Sequence, residues 1–364
     1  MDVSLSQRLE RVQRALTDAG DDWLLIPASA DFRWLTGAIA RSTERLLCLA
    51  VPGQGAPFCL VPKLEADALA AESPTLERVI WSDGDDAFTR LAERLDLERR
   101  PSLRVGEGFR AGPLLAMAAR TRCQTATALL EPLRAVKDAE EIRHLVEAGR
   151  HADQVVLEIA EFMRPGMTER EVARFAFERF EALGDTDPWA IIGSGPNSVL
   201  PHHMTSGRRL AEGEVVVVDV GASTEGYASD ITRTFWLGAP PPEAERVYAV
   251  VDEARAAGIV AVRAGVETGA VDRAAREVIE RAGYGEFFTH RTGHGLGLEI
   301  HEPPYIVGGT HDLLRAGMAH TVEPGIYLPG RFGIRLEDSV IVETDRARRL
   351  NQVPFEPAPQ RVRG

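Results

Sequence analysis

Lysine and cysteine are scarce in this 364-residue chain, which contains only two lysines, Lys63 and Lys137, and three cysteines. Neither lysine stands in a Gly-Lys-Ser/Thr sequence, so a phosphate-binding loop of that type is excluded. The cysteines are too few and too scattered for a disulfide framework or a thiolate metal site. No apolar run approaches the ~18 residues of a membrane span, and the first residues lack the apolar centre of a secretory signal. We therefore expect a cytoplasmic protein that does not enter a membrane.

An excess of basic residues is also lacking. Aspartate and glutamate number 55 against 42 lysines and arginines, which gives a formal net charge of −13. Because nucleic acids bind to basic surfaces, this balance argues against a nucleic-acid partner. Hydrophobic residues make up 44% and charged residues 27% of the chain, as in globular proteins. At roughly 150 residues per domain, the length predicts two domains.

The residues up to 131 alternate between helical and strand patterns, which is typical of a small α/β domain. Apolar spacing predicts helices at 6–19, 64–71 and 86–95, and strands at 23–26, 46–51, 58–61, 78–81 and 103–105. Long amphipathic helices follow, at 138–162 and 168–184, and Arg-Pro-Gly at 164–166 separates them. We therefore predict two domains, 1–131 and 132–364.

Two short segments of the second domain resemble each other. Residues 164–172 read Arg-Pro-Gly-Met-Thr-Glu-Arg-Glu-Val, and residues 263–271 read Arg-Ala-Gly-Val-Glu-Thr-Gly-Ala-Val. Each segment follows a long helix, opens a shorter one, and precedes a strand-rich region that ends in a hairpin, at 214–236 and at 319–342. We interpret this as a duplicated helix–helix–hairpin unit, although Arg-x-Gly is also a common break between helices.

Each predicted hairpin carries a pair of carboxylates. Asp219 lies in an unbroken β-branched run, and a turn centred between Thr224 and Glu225 would place it opposite Asp230. In the second hairpin, a turn centred on Gly330 would place Glu323 opposite Glu337. Pro324 cannot donate to the strand ladder, so the pairing is expected to break there.

Carboxylates that face each other inside an apolar strand pair need a compensating proton or cation. A shared proton, as in aspartic proteases, would suffice for one pair. Ion pairs with Arg233 and Arg335, or solvent exposure, would also explain the acids. Because there are two pairs, four negative charges match two divalent cations, the composition of a two-metal site.

Five of the nine histidines lie between positions 202 and 301. His294 is flanked by Gly293, Gly295 and Gly297, which permit close backbone approach, so we expect a ligand or reactive group there. The segment fits neither a zincin motif nor G-x-G-x-x-G. Other histidines are expected to be structural or, on the long helix, solvated: His144, His151, His311 and His320.

These residues in their local contexts resemble the five metal ligands of the pita-bread metallopeptidases: Asp219, Asp230, His294, Glu323 and Glu337. The eleven-residue gap between the aspartates, Gly-His-Gly-Leu-Gly and Val-Glu-Pro-Gly-Ile-Tyr all match that family. The family includes methionine aminopeptidase, Xaa-Pro aminopeptidase and Xaa-Pro dipeptidase. The resemblance implies an α/β creatinase-like N-terminal domain and an α+β pita-bread catalytic domain with a pseudo-two-fold internal duplication.

The resemblance also implies roles for individual residues. Two divalent metal ions per subunit are expected, with Mn²⁺ favoured and Co²⁺ or Zn²⁺ as alternatives. Glu323 is expected to act as general base, and His202 and His301 to contact substrate and stabilise the tetrahedral intermediate. Further substrate-binding residues of the proline-specific branch would be His290, Tyr227 and Arg335.

The activity expected from the resemblance is hydrolysis of the peptide bond before proline in an Xaa-Pro dipeptide. The alternatives are an Xaa-Pro aminopeptidase that acts on longer peptides, a creatinase-like hydrolase of non-peptide C–N bonds and a non-catalytic binding member of the fold. A homodimer is expected, in which a loop of the N-terminal domain reaches toward the partner's site. Charged residues of that loop could then select short peptides: Asp31, Arg33, Arg41 and Arg45.

Overall fold

The structure is a computed structural model that describes residues 3–41, 43–240 and 242–353. It divides between Arg134 and Ala135 into two compact units, called here the N-terminal and C-terminal units. The predicted boundary after residue 131 lies inside the last helix of the N-terminal unit and stays a prediction. None of the helices in the described ranges is long and apolar enough to cross a membrane.

The N-terminal unit is an α/β domain around one mixed sheet of six strands, in the order β4-β3-β2-β1-β5-β6. The elements are α1 Val3–Ala19, β1 Trp23–Pro27, α2 Ala30–Thr36, β2 Cys48–Pro52, β3 Phe58–Pro62, α3 Lys63–Glu72, β4 Glu77–Trp81, α4 Ala87–Arg94, β5 Leu103–Val105, α5 Ala111–Ala118, β6 Cys123–Thr125 and α6 Thr127–Arg134. The predicted α/β alternation is confirmed, and α2, α5, α6 and β6 are additional elements.

The C-terminal unit contains two helix pairs and three sheets. Its elements are α7 Ala139–Phe162, α8 Glu169–Ala182, β7 Thr186–Ser194, β8 Val215–Thr224, β9 Tyr227–Ala228, β10 Ile231–Trp236, α9 Pro242–Ala261, α10 Thr268–Arg281, β11 Gly293–Gly295, β12 Glu302–Ile306, β13 Ala319–Val322, β14 Gly325–Leu328, β15 Phe332–Arg335, β16 Asp338–Val342 and β17 Ala347–Arg349. The sheets are β10-β8-β7 with β9 beside β8, β12-β11-β13-β16-β17, and β14-β15.

The two halves of this unit repeat the same local structure. After α7, the Gly166 N–H donates to the Leu210 carbonyl at 2.7 Å; after α9, the Gly265 N–H donates to the Leu314 carbonyl at 2.8 Å. Both glycines have positive φ, 90° and 82°. A backbone bridge then joins the residue before each second helix to the returning chain. The predicted duplication is therefore present in the backbone.

Strand periodicity turns the charged residues away from the helices. Val216, Val218 and Val220 pack in the core under α7 and α8, so the alternation along β8 directs Asp219 to the opposite face. In the other half, Ile334 and Leu336 pack in the core with α9 and α10. Arg335 and Glu337 alternate with them, so these side chains also leave the helical layer.

Candidate metal centre and active site

The first carboxylate pair does not have the predicted register. Asp219 pairs with Thr232, and Ile231 with Val220, so the predicted pairing of Asp219 with Asp230 is wrong. The turn lies at Glu225 and Gly226, which have φ values of 50° and 84°, one residue later than predicted. Moving a hairpin turn by one residue moves the cross-strand partner by two. Because side chains alternate with a period of two, both aspartates still lie on one face.

The second pair has the predicted register. Gly325 pairs with Arg335 in β14 and β15, and Val322 pairs with Asp338 in β13 and β16. Both pairings correspond to a hairpin centred on Gly330, as predicted. The carboxylates of this pair lie between these two ladders, next to the break that Pro324 introduces.

Backbone packing around β11 explains the glycines that flank His294. A Cβ atom at Gly293 would overlap the carbonyl oxygen of Thr321, and one at Gly295 would overlap Pro303. The expected close backbone approach is therefore confirmed. It places His294 Nε2 3.3 Å from Glu323 Oε1 and 3.5 Å from Asp230 Oδ2.

Three of the predicted ligands form a compact buried cluster, in which one donor atom each of Asp230, His294 and Glu337 lies within 4.8 Å of the others. Burial raises the pKa of the Asp230 carboxyl well above its usual range, and the Glu337 carboxylate adds to this. Burial also raises the pKa of Glu323 to about 7 and lowers that of His294 to about 3. The fold therefore buries these carboxyl groups where a negative charge needs a proton or a cation to balance it.

Two carboxylate oxygens at this site have no hydrogen-bond partner among the described residues, Asp219 Oδ1 and Glu337 Oε1. The other oxygen of each carboxylate accepts a hydrogen bond. Asp219 Oδ2 accepts from the Arg335 guanidinium, and Glu337 Oε2 accepts from the Thr232 hydroxyl at 2.7 Å. Buried oxygens without partners are costly, and a cation would satisfy them. Four carboxylates, which are hard ligands, and one imidazole, which is an intermediate one, suit divalent metal ions. The residues present therefore fit a divalent metal centre.

The cluster lies in a cavity of about 820 Å³. All five predicted ligands line it, together with four of the predicted substrate-site residues: His202, His290, His301 and Arg335. Its wall is completed by side chains for which the sequence analysis gave no role: Trp189, Ile191, Pro201, Arg291 and Ile300. The cavity thus combines an acidic floor with an apolar and basic wall.

Burial disfavours the charged form of three cavity histidines, His290, His294 and His301. The rings of His301 and His294 meet edge to face, with centroids 4.2 Å apart, and burial lowers the pKa of His301. His290 Nε2 lies 2.8 Å from the Tyr327 hydroxyl, and burial followed by the charge of Arg335 lowers its pKa to about 4. Neutral imidazoles can donate or accept hydrogen bonds toward a substrate.

Sequence reasoning missed the residues that hold these groups. Arg335 Nη1 donates to the Tyr327 hydroxyl at 2.9 Å, so Tyr327 connects Arg335 with His290. Thr321 Oγ1 donates to Glu323 Oε1 at 3.1 Å. One signal was available for Tyr327: the confirmed register places it opposite Gly333, which leaves space for an aromatic ring.

Other predicted residues lie elsewhere. Tyr227 lies 3.1 Å from Glu141 through its hydroxyl and stacks on His144, so its substrate role stays a prediction. Arg233 pairs with Asp338 at 2.9 Å. His151, expected on a solvated face, is buried with Nδ1 3.0 Å from Asp185, and that expectation is wrong.

The charged segment of the N-terminal unit is a loop only in part, because Asp31 and Arg33 lie in α2. Two of its residues have ion-pair partners within their own unit. Asp31 lies 2.7 Å from Arg134, and Arg45 lies 2.8 Å from Asp83. Arg41 lies beside Arg45 in a small depression. The predicted selection of short peptides by this loop stays a prediction.

Comparison with known proteins decides the family. Residues 143–344, more than half of the chain, match the model of metallopeptidase family M24. The chain belongs to this family. Residues 8–136 match the creatinase/prolidase N-terminal domain. The predicted fold class is therefore confirmed, and this M24 protein is a hydrolase.

Relatives of this M24 protein match it over nearly its whole length. A probable dipeptidase, PepE of Mycobacterium tuberculosis, is 41% identical over 96% of this chain and 95% of its own. The Xaa-Pro dipeptidase of Pyrococcus furiosus is 32% identical, over 97% of this chain and 99% of its own. The crystal structure of dipeptidase PepE from Mycobacterium ulcerans has a TM-score of 0.92 and 40% identity, and covers 98% of both chains.

Proposed function

We propose that this M24 peptidase is an Xaa-Pro dipeptidase that works with two divalent metal ions, Mn²⁺ being the preferred one. The observation that carries this proposal is the buried acidic cluster in the cavity, with two carboxylate oxygens that lack hydrogen-bond partners among the described residues. Relatives described as dipeptidases and as an Xaa-Pro dipeptidase support the substrate class.

Five residues would hold the two ions: Asp219, Asp230, His294, Glu323 and Glu337. When bound, the ions supply a water molecule of lowered pKa and polarise the scissile carbonyl. Glu323 faces the cavity and is held by the Thr321 hydroxyl, so it is placed to accept the proton of the attacking water. His202 and His301 would then donate hydrogen bonds to the oxyanion that develops on the substrate.

The other basic residues of the wall would orient the substrate. Tyr327 fixes the ring of His290 and the guanidinium of Arg335 relative to each other. The nitrogen of a bond before proline carries no hydrogen, so an enzyme that needs an N–H contact there fails. Activation at the carbonyl and the water avoids that requirement, and the cavity of about 820 Å³ has room for a dipeptide.

Two further properties are proposed from the sequence and the family resemblance. The protein would act in the cytoplasm, where thiols stay reduced, because its three cysteines are too few and too scattered for a disulfide framework. It would form a homodimer, as the resemblance implies. Gel filtration with light scattering measures the mass in solution, and a monomer that is fully active would contradict the dimer.

The proposed activity is tested by comparing turnover of an Xaa-Pro dipeptide with that of a matched Xaa-Pro-Yaa series. Both are assayed with Mn²⁺ and after exhaustive metal removal. We expect the dipeptide to be preferred, activity to disappear with the metal and return when it is added, and Asp230→Asn to be inactive. Asp187→Asn, an exposed change on β7, is the control. A preference for tripeptides would indicate an aminopeptidase, and full turnover without metal would reject the mechanism. Metal binding without hydrolysis would indicate a binding protein.

A further inference from the structure

We propose that Glu169 is a positioning residue that fixes residues 194–206, here called the His202 segment, and thereby places His202 in the cavity. The inference rests on the substrate role proposed for His202. Glu169 is the first residue of α8 and is fully buried, with 0% of its surface exposed. It acts through the segment, and not by contact with the reacting atoms.

The Glu169 carboxylate is the acceptor for both ends of the His202 segment. Its Oε1 atom accepts hydrogen bonds from Ser194 N–H at 2.9 Å, Ser194 Oγ at 2.8 Å and Asn197 Nδ2 at 2.9 Å. Its Oε2 atom accepts from Ser206 N–H at 3.0 Å and Ser206 Oγ at 2.7 Å, and His203 Nε2 lies 2.9 Å away. Both oxygens are therefore surrounded by hydrogen-bond donors.

This donor set requires a carboxylate. Burial by itself would raise the pKa of Glu169, but the hydrogen bonds from Ser206 and the other donors lower it to about 2. An amide at this position would direct its own NH₂ group at donors, which leaves buried polar groups unsatisfied. The N-terminus of α8 also favours a negative charge at its first residue.

The segment between these two anchors reaches the active site. His202 and Pro201 line the cavity, and the Pro201 carbonyl accepts a hydrogen bond from Arg335 Nη1 at 3.2 Å. On its other side, Ser198 Oγ accepts from the Gly333 N–H at 2.8 Å. The segment is therefore held between Glu169 and β15, and loss of the Glu169 anchor would release His202 and not the metal ligands.

The test is a double-mutant cycle of Glu169→Gln with His202→Ala, assayed on an Xaa-Pro dipeptide with Mn²⁺. We expect Glu169→Gln to lower kcat/KM roughly 10- to 100-fold, because displacement of a substrate-contacting group by about 1 Å costs this much. In the His202→Ala background the same change should have little further effect, since coupled residues are not additive. Metal content should stay unchanged.

Asp185→Asn is the matched control. Asp185 is also a buried carboxylate of this unit, bonded to His151 at 3.0 Å and to the Thr224 hydroxyl at 2.6 Å. Its replacement is expected to lower the melting temperature without a change in kcat/KM. Equal kinetic losses for Glu169→Gln and Asp185→Asn, or additive losses with His202→Ala, would overturn the proposal.

Hydrogen exchange gives a readout that does not depend on turnover. Peptides covering 194–206 should exchange faster in Glu169→Gln, because the amide keeps only one acceptor oxygen and the backbone N–H of either Ser194 or Ser206 loses its acceptor. Peptides of β8 should stay unchanged. If wild-type protein cleaves no Xaa-Pro peptide, the proposed function fails, yet this measurement still decides whether Glu169 anchors the segment. Unchanged exchange would overturn the anchor. If Glu169→Gln does not fold, Asn197→Ala and Ser206→Ala each remove one side-chain hydrogen bond to Glu169 from the segment side and enter the same cycle.

Discussion

At the scale of single residues, burial decides the ionisation of a histidine near the candidate metal centre. His320 in β13 is fully buried. Its Nδ1 atom lies 2.9 Å from the Thr321 carbonyl, while its Nε2 atom has no partner among the described residues. Because burial penalises the imidazolium, the pKa of His320 is lowered to about 4. The folded protein therefore holds this side chain neutral.

This depressed pKa predicts a defined pH dependence of stability. The unfolded chain binds a proton at His320 near pH 6.5, while the folded protein does so only near pH 4. The stability that the folded protein has with a neutral His320 is therefore fully present above pH 6.5 and is lost as the pH falls toward 4. When the pH is lowered from 7 to 4, the free energy of unfolding should decrease less in His320→Leu than in wild type. The difference between the two decreases should be on the order of 3 kcal/mol.

Urea unfolding at several pH values between 7 and 4 measures this difference. His311→Leu is the control, because the His311 side chain is 81% exposed. If the wild-type and His320→Leu profiles run parallel, His320 is not held neutral by the fold.

At the scale of secondary structure elements, β11 shows how a short strand depends on its glycines. Gly293→Ala would drive a Cβ atom into the Thr321 carbonyl of the neighbouring strand. We expect a loss of roughly 1–3 kcal/mol of stability, typical of overpacking, together with weaker metal binding, because His294 moves with the strand. Melting temperature and metal content per subunit measure the two effects.

Gly207→Ala serves as the control for β11. A Cβ atom there meets only ordinary van der Waals contact, with Arg170 at 3.7 Å. Full metal content in Gly293→Ala would contradict the role of close packing at β11.

The two hairpins show what local sequence can and cannot predict. The register of the second follows from Gly330 and was predicted. The register of the first was not, because its turn has a glutamate at positive φ, Glu225, where asparagine or glycine would be the usual signal. The helix predicted at 168–184 begins as expected, because its capping box is formed by Thr168 and Glu171, which are close in sequence.

The residues of the candidate site also differ in whether the local sequence points to them. The five proposed ligands were picked out because each lies in a local motif, and all five line one cavity. Tyr327, Thr232 and Glu169 were missed as functional residues, because their roles depend on contacts between distant parts of the chain. Thr232 and Glu337, for example, are 105 positions apart. Nothing in the sequence around such residues indicates the partner.

At the scale of the whole molecule, the proposed metal centre joins the two halves of the C-terminal unit. Asp219 and Asp230 come from the first half, and His294, Glu323 and Glu337 come from the second. Without a cation, burial and then the charges of neighbouring carboxylates, including ones from the other half, raise the pKa values of Asp230 and Glu337. A bound divalent ion reverses this repulsion, so metal binding and folding of this unit should be coupled.

This coupling predicts that Mn²⁺ raises the melting temperature and that a chelator lowers it. Free metal at 100 times its dissociation constant adds about 2.7 kcal/mol of stability per site. Asp230→Asn should show two opposite changes: the metal-free variant melts above metal-free wild type, because one buried carboxylate is gone, while the rise with Mn²⁺ largely disappears. Differential scanning fluorimetry with chelator and with graded Mn²⁺ measures both. An equal Mn²⁺-induced rise in wild type and Asp230→Asn would show that the stabilising ion binds elsewhere.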